Sequence, residues 1–246
     1  MDSKLYKYQR LYTPQNLSAQ SLVTLPSEQV HYLRNVMRRE PGDLVRLFNG
    51  RDGEWLGEIE ALGKKDGRVL PLEQVKVQPV KAPEVHLIFT PLQKNRLDFL
   101  VEKAAELGAT ALHPVLTART EHRKINEERA GLQLIEASEQ CERLDIPVLH
   151  PLEDLKAKMV KWSVDTPVFW GAERRPETPT LAQALSGYEG ALAFLIGPAG
   201  GFTPEEFDFL SGLQCVRPVS LGERLLRAET AGLACLSHVL DRGNPL

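Results

Sequence analysis

The sequence predicts an α/β fold: a parallel sheet with helices on both faces, preceded by a small β-rich unit. Two observations carry that expectation. From residue 84 onward, short apolar runs alternate with amphipathic segments, the pattern of strand–helix–strand crossovers. Before residue 73, closely spaced β-type runs are joined by tight-turn dipeptides around a single helix, which points to a small barrel. A length of 246 residues accommodates both parts.

In the first unit, Ser27 follows Pro26 and is placed to cap a helix whose apolar positions Val30, Leu33 and Met37 recur at helical spacing. His31, Arg34 and Arg38 lie on another stripe of that helix, with Arg39 beside them. Strands are expected over Leu44–Phe48, residues 55–62 and residues 68–80. The turns between them fall at Asn49-Gly50, Asp52-Gly53 and Asp66-Gly67. Pro79 and Pro83 bracket a linker.

In the second unit, strands are expected over residues 85–90, Ala111–Leu116, residues 167–170, 191–196 and 216–221. Helices are expected over residues 96–107, where Gly108 supplies the stop, then 126–141, near 152–162, and 228–240. One more helix opens at Thr203-Pro204-Glu205-Glu206. Thr203 is the cap, Pro204 begins the first turn, Glu206 completes a capping box, and Phe202 and Phe207 are spaced for a hydrophobic staple.

Charge and composition narrow the function. Thirty basic against 33 acidic residues give a formal charge of −3. Residues 1–72 carry 11 basic and 9 acidic residues, whereas residues 73–246 carry 19 and 24, so any polyanion contact belongs mostly to the N-terminal part. Three widely spaced cysteines without a CxxC fit a reducing compartment rather than a disulfide framework or structural zinc. The N-terminus has no apolar leader and no run is long enough for a membrane span, so a cytoplasmic protein is expected. There is no dinucleotide fingerprint, no P-loop, no HExxH and no GxSxG elbow. The six histidines are scattered; His86 and His113 read as satisfied core or edge residues of strands, and no metal is expected.

Open parallel sheets bind ligands at the carboxyl ends of their strands. Two such ends stand out: Ile196-Gly197-Pro198-Ala199-Gly200-Gly201, and Leu221-Gly222-Glu223-Arg224-Leu225-Leu226-Arg227-Ala228-Glu229-Thr230. Glycines there allow the main chain itself to serve as a binding surface. An ordinary glycine-rich turn is the plain alternative for either loop, and an Arg227–Glu229 surface pair is the plain alternative for the second.

These two loops resemble the signatures of the SPOUT methyltransferases, and more narrowly of the ribosomal RNA small subunit methyltransferase E family. Lys94 through Gly108 is similar to that family's KxxRxxxxxxKxxELG helix, Glu139-Gln140-Cys141-Glu142-Arg143 to its EQxxR segment, and His31 through Gly50 to its N-terminal segment. Two positions depart: Ala199 stands where an acidic residue is usual, and Glu142 where glycine is common.

The resemblance implies a PUA-like β-barrel over residues 1–72 for RNA binding. It implies a SPOUT domain over residues 73–246, with a deep trefoil knot at about 195–235. It implies a homodimer that uses S-adenosyl-L-methionine to methylate N3 of a uridine in 16S ribosomal RNA, free or within the 30S subunit. The cofactor cradle would comprise Ile196, Gly197, Pro198, Gly200 and Gly201, then Leu221, Gly222, Leu225, Leu226 and Thr230, with the strand end at Trp170 as a third wall. Arg227 would stabilise developing charge and Glu229 would act as base or orienter, with Glu139 as a rival base. RNA contacts would come from Lys7, Arg10, Arg34, Arg38 and Arg39 of the barrel and from Arg119, Arg123 and Arg143. Three alternatives stay open: a non-catalytic RNA-binding protein on the same scaffold, a methyltransferase with another RNA target, and an unrelated nucleotide-binding α/β enzyme.

Overall fold

The structure, a computed structural model, describes residues 5–172 and 178–240. The chain forms two units. One runs to Val80 and takes in Ser138–Ile146; the other holds Lys81–Ala137 and the chain from Pro147 onward.

The first unit is built on one sheet of β1 (Arg10–Tyr12), β2 (Val23–Leu25), β3 (Leu44–Phe48), β4 (Glu54–Leu62) and β5 (Gly67–Lys76), in the order β1-β3-β4-β5-β2. The consecutive hairpins are antiparallel, β2 joins β5 antiparallel, and β1 joins β3 in parallel. Past β1, the Gln15 side chain donates to the Thr24 carbonyl at 2.7 Å and accepts from the Thr24 N–H at 3.1 Å, tying that segment to β2. Gly53 is required by its turn: its φ is +74°, and an added Cβ would sit 2.1 Å from the Lys76 carbonyl oxygen.

The expected helix is present, with a different start. Pro26, not Ser27, is the cap residue of α1 (Ser27–His31), because the Ser27 hydroxyl is spent on the Glu28 carboxylate. The helix continues as a wide turn over Tyr32–Val36 and ends where Arg38 takes a left-handed φ of +53°, letting the Arg39 N–H close on the Leu33 carbonyl at 2.9 Å. Val30 and Leu33 are buried against Leu11, Leu25, Val45, Leu47, Ile59 and Val69, as their spacing predicts. Full burial of one such side chain contributes about 2 kcal/mol.

Below that core lies a charged cluster. Arg10 is 2% exposed; it pairs with Glu54 and donates to the carbonyls of Ser138 at 2.8 Å, Glu139 at 3.0 Å and Arg143 at 2.9 Å. Arg46 and Lys76 reach Glu142 at 2.8 and 3.2 Å, and Lys76 also faces Glu54 at 3.4 Å. Glu142 has a φ of +62°, so this acidic residue occupies a backbone conformation that favours glycine and is held there by two cations.

The second unit carries a parallel sheet of β6 (Val85–Phe89), β7 (Ala111–Leu116), β8 (Val148–Leu149), β10 (Val168–Gly171), β11 (Leu192–Ile196) and β12 (Val216–Val219), in the order β12-β10-β11-β6-β7-β8; β9 (Glu153–Asp154) pairs with β7. Its helices are α2 (Lys94–Glu106), α3 (Glu127–Gln140, of which Ser138–Gln140 belong to the first unit), α4 (Leu155–Val160), α5 (Leu181–Leu185), α6 (Pro204–Ser211) and α7 (Ala228–Ser237). Helices cover both faces. Residues from α4 and α6 join Ile88, Val115, Trp170 and Leu195 in one core, while α2 and α7 pack on the side of Leu87.

The helix expected near 152–162 is shorter, because Glu153 and Asp154 pair with β7 and the Asp154 carboxylate then caps α4 through the N–H groups of Lys156 and Ala157. His86 and His113 are not simply satisfied core residues. His86 Nδ1 meets His113 Nε2 at 3.0 Å, His113 stacks on His150 at 4.0 Å between ring centroids, and His113 Nδ1 is buried without a hydrogen-bond partner.

Candidate functional site

Three neighbouring parallel strands, β12, β10 and β11, end together. Their register sets Trp170 beside Leu195 and Pro218, and Gly171 beside Val219. Each end then opens into a loop, and two of these are the glycine-bearing segments singled out by sequence. A Cβ on Gly171 would meet Leu221 Cδ1 at 3.4 Å and Ile196 Cδ1 at 3.9 Å, so all three strand ends converge on one apolar floor.

The first loop is braced from two sides. Phe202 lies against Gly197, where a Cβ would come within 2.5 Å of its ring, and the same Phe202 packs edge-on to Trp170. The capping box expected at Thr203 and Glu206 is present. Glu206 Oε2 accepts from the Thr203 N–H at 2.9 Å, and Oε1 accepts from the Ala118 N–H at 2.7 Å. Arg119 donates to the Gly200 carbonyl at 2.8 Å. The segment after β7 and the loop after β11 are therefore stitched together, with the exposed Arg119 beside the glycines, while the exposed Arg123 donates to the Thr117 carbonyl at 3.3 Å.

The second loop is more open. Gly222 has a φ of +105°, as Gly201 at the end of the first loop has one of +69°, and an added Cβ on either would meet nothing within 4 Å. Leu225 is 69% exposed, an apolar side chain held out at the loop rim. Arg227 is the cap residue of α7 and is exposed, and its carbonyl accepts from the Ala231 N–H at 2.8 Å. Glu229 is buried in the first turn, where both its oxygens accept from Arg96, at 2.8 and 2.5 Å. Burial alone would push the Glu229 carboxyl up; the Arg96 hydrogen bonds, its own backbone N–H, and the charges of Arg96 and Arg227 outweigh that and hold it below the usual carboxylate range.

Some expected residues sit elsewhere. The Trp170 side chain is 2% exposed in the core between Phe202 and Phe207, so only the backbone at that strand end faces the loops. Arg10 is buried in the cluster around Glu54 and has no surface to offer RNA. Arg143 holds Asp145 at 3.0 Å, and Glu139 accepts from the Tyr12 N–H at 2.9 Å; both serve the first unit. Arg34 and Arg38 are exposed, Arg39 is half-buried, and Lys7 is exposed over the Tyr8 ring. Arg34 donates to the Gly63 carbonyl at 3.0 Å, which brings the helix stripe next to the turn bearing Lys64 and Lys65.

A family model for the RNA methyltransferase domain matches residues 80–240, and a model for the RNA methyltransferase PUA domain matches residues 25–72. The ribosomal RNA small subunit methyltransferase E of Rickettsia conorii is 32% identical over 95% of both chains. The chain belongs to the ribosomal RNA small subunit methyltransferase E family. A member from Bacillus subtilis is 26% identical over 92% of this chain and 93% of its own. Among solved structures, the family member from Neisseria gonorrhoeae bound to S-adenosyl methionine aligns with a TM-score of 0.84 at 29% identity, covering 94% of this chain and 96% of that one. A methyltransferase from Legionella pneumophila in complex with SAM aligns with a TM-score of 0.81 at 29% identity, covering 95% and 96%.

The three strand ends offer a ligand main-chain and apolar contact. Backbone at two positive-φ glycines, the apolar floor of Ile196 and Leu221, and the projecting Leu225 provide shape and apolar contact. Thr90, one residue past the Phe89–Ile196 pair, contributes a buried hydroxyl without a hydrogen-bond partner. Sequence reasoning did not single out Gly171, Thr90, Arg96, Lys64 or Lys65. A glycine ending an apolar strand was a readable signal; the reach of Arg96 across 133 positions to Glu229 was not. Among the described residues no group of three or more acidic, histidine or cysteine side chains is arranged to hold a metal, and no helix is long and apolar enough to cross a membrane.

Proposed function

We propose that this chain methylates small-subunit ribosomal RNA from S-adenosylmethionine, at N3 of a uridine in 16S RNA, acting as a homodimer. The observation that carries the reading is the placement of Arg227: an exposed guanidinium at the start of α7, directly after the glycine loop that closes the strand-end floor. The named relatives and the two S-adenosylmethionine-bound structures support it.

When bound, S-adenosylmethionine supplies an electrophilic methyl group on a sulfonium. The chain would hold it with the backbone of Gly197, Pro198, Gly200, Gly201 and Gly222, the side chains of Ile196, Leu221, Leu225 and Leu226, and the strand end at Trp170 and Gly171. Thr230, exposed one residue past Glu229, completes that side. A neutral uridine imide is a poor nucleophile; once its N3 proton passes to water, negative charge spreads over O2, N3 and O4, and N3 would take the methyl group as the C–S bonding pair returns to sulfur. Arg227 stabilises that charge, a contribution typically worth about 10²–10³ in rate. Glu229, with both oxygens given to Arg96, is not placed to act as the base.

RNA phosphates are held by Arg119 beside the site and Arg123 four residues on, and by Arg34, Arg38 and Arg39 with Lys64 and Lys65 on the N-terminal unit. Arg38 keeps an arginine in a left-handed conformation that glycine adopts at less cost, which fits selection for its charge. The test is methyl transfer to 16S RNA by Arg227→Ala. A loss of about 10²-fold or more in turnover with S-adenosylmethionine affinity retained is expected; unchanged turnover removes Arg227 from this role. Calorimetric titration with S-adenosylmethionine separates this reading from a non-catalytic RNA-binding scaffold, which would not bind it.

A further inference from the structure

We infer that Arg96 is a positioning residue that keeps Arg227 available to the substrate by holding Glu229 away from it. This rests on the role proposed for Arg227. Glu229 lies two residues after Arg227, the cap residue of α7, and is near enough for the Arg227 charge to bear on its carboxyl. Arg96 competes for that carboxylate. It reaches from α2 and takes both carboxylate oxygens of Glu229 in a forked pair, at 2.8 and 2.5 Å.

The position of Arg96 argues for a role beyond helix stability. It is the third residue of α2, and a cation in the first turn opposes the helix dipole. The pair is aligned by packing farther along the same seam. One turn on, Gly232 of α7 faces Leu100 of α2, where an added Cβ would come within 3.2 Å of Leu100 Cδ1 and 3.7 Å of Leu87 Cδ1. Glycine there lets α7 approach α2 closely, which sets the Arg96–Glu229 geometry. Arg96 is also 30% exposed at its side chain against 11% for Glu229, so the guanidinium bridges from the surface to the buried carboxylate.

The experiment pairs two variants, Arg96→Gln and Arg96→Gln/Glu229→Gln. Removing Arg96 releases Glu229 onto Arg227; removing both charges frees Arg227 again. Turnover on 16S RNA is expected to fall about 10- to 100-fold in Arg96→Gln and to recover about 10-fold in the double variant, with S-adenosylmethionine affinity within about threefold throughout. A purely structural pair predicts the double variant to be no faster than the single, and that result overturns the inference. So does a loss in Arg96→Gln that merely tracks its folded fraction by thermal melting. A crystal structure of Arg96→Gln gives a readout independent of activity: Glu229 turned onto the Arg227 guanidinium supports the inference, and Glu229 left in place overturns it. If the unaltered chain does not methylate 16S RNA, the functional reading fails, while the crystal structure still decides the positioning claim.

Discussion

Glu206 accepts the backbone N–H of Ala118 at 2.7 Å while completing the cap of its own helix at Thr203. One carboxylate thereby fixes both the start of α6 and the segment that carries Arg119. Glu206 is buried, and removing it takes the acceptor from two N–H donors, one on the half-buried Thr203 and one on the exposed Ala118.

Glu206→Ala is expected to cost about 2–3 kcal/mol in urea unfolding, and Glu206→Gln about 1 kcal/mol. Because the loosened segment bears Arg119, the KM for RNA should rise more than the Kd for S-adenosylmethionine. Equal changes in both would mean that the stitch organises the two loops as one body.

Gly222 and Gly197 look alike in sequence and should respond differently to alanine. Gly222 has a φ of +105° with open space where a Cβ would go, so Gly222→Ala carries only backbone strain, about 1–2 kcal/mol. The chain should stay folded and bind S-adenosylmethionine less tightly. At Gly197 an added Cβ would lie 2.5 Å from the Phe202 ring, which is itself wedged against Trp170. Gly197→Ala should therefore lower the melting temperature more than Gly222→Ala does; the reverse order would show that the Phe202 contact yields easily.

The readable parts of this chain were those whose signals are local. The capping box at Thr203 and Glu206, the apolar run of β11 and the stop at Gly108 each depend on residues within a few positions, and each stands where the pattern puts it. The Thr180–Gln183 capping box of α5 is equally local, but the five helical residues that follow it are too few to show a helical period. Arg10 was misread for a different reason. An arginine in a basic N-terminal segment looks like surface, and nothing nearby announces that Glu54 and the carbonyls of Ser138, Glu139 and Arg143 converge on it. The same holds for Arg96 and Glu229. The two glycine loops were legible as a site, whereas the pair that adjusts it was written in residues far apart in the chain.

Arg10 and Arg34 should separate structure from RNA binding in the N-terminal unit. Arg10→Ala leaves Glu54 buried without its closest cation and removes one donor from each of three carbonyls, a loss of about 3–5 kcal/mol. Arg34→Ala/Arg38→Ala removes exposed charge and should change stability by about 0.5 kcal/mol or less. It should weaken RNA affinity and reduce the slope of log K against log salt by up to about 1.8, with S-adenosylmethionine binding retained. An unchanged salt slope would remove this face from the RNA contact.

The histidine cluster sets a pH dependence whose sign can be worked out. Burial first, then the positive charge of Lys158 and the neighbouring His150 and His86 imidazoles, pushes His113 down to about 2. Trp162 packs edge-on against both His86 and His113, and Glu84 reaches His86 at 3.2 Å. In the unfolded chain an imidazole takes its proton near pH 6.5. Between those values the unfolded state binds the extra proton, so stability is full above about pH 6.5 and falls as the pH drops. Glu84 and Glu153 are both held below their ordinary range, so they stay ionised down to about pH 5 and leave the window between about pH 6.5 and 5 to the histidines. His113→Phe keeps the ring stack and removes the titrating group. Measured by urea unfolding, its stability relative to the unaltered chain should improve by about 1.5 kcal/mol from pH 6.5 to pH 5. Parallel pH profiles for the two chains would show that His113 is protonated in the fold and that the cluster accommodates the charge.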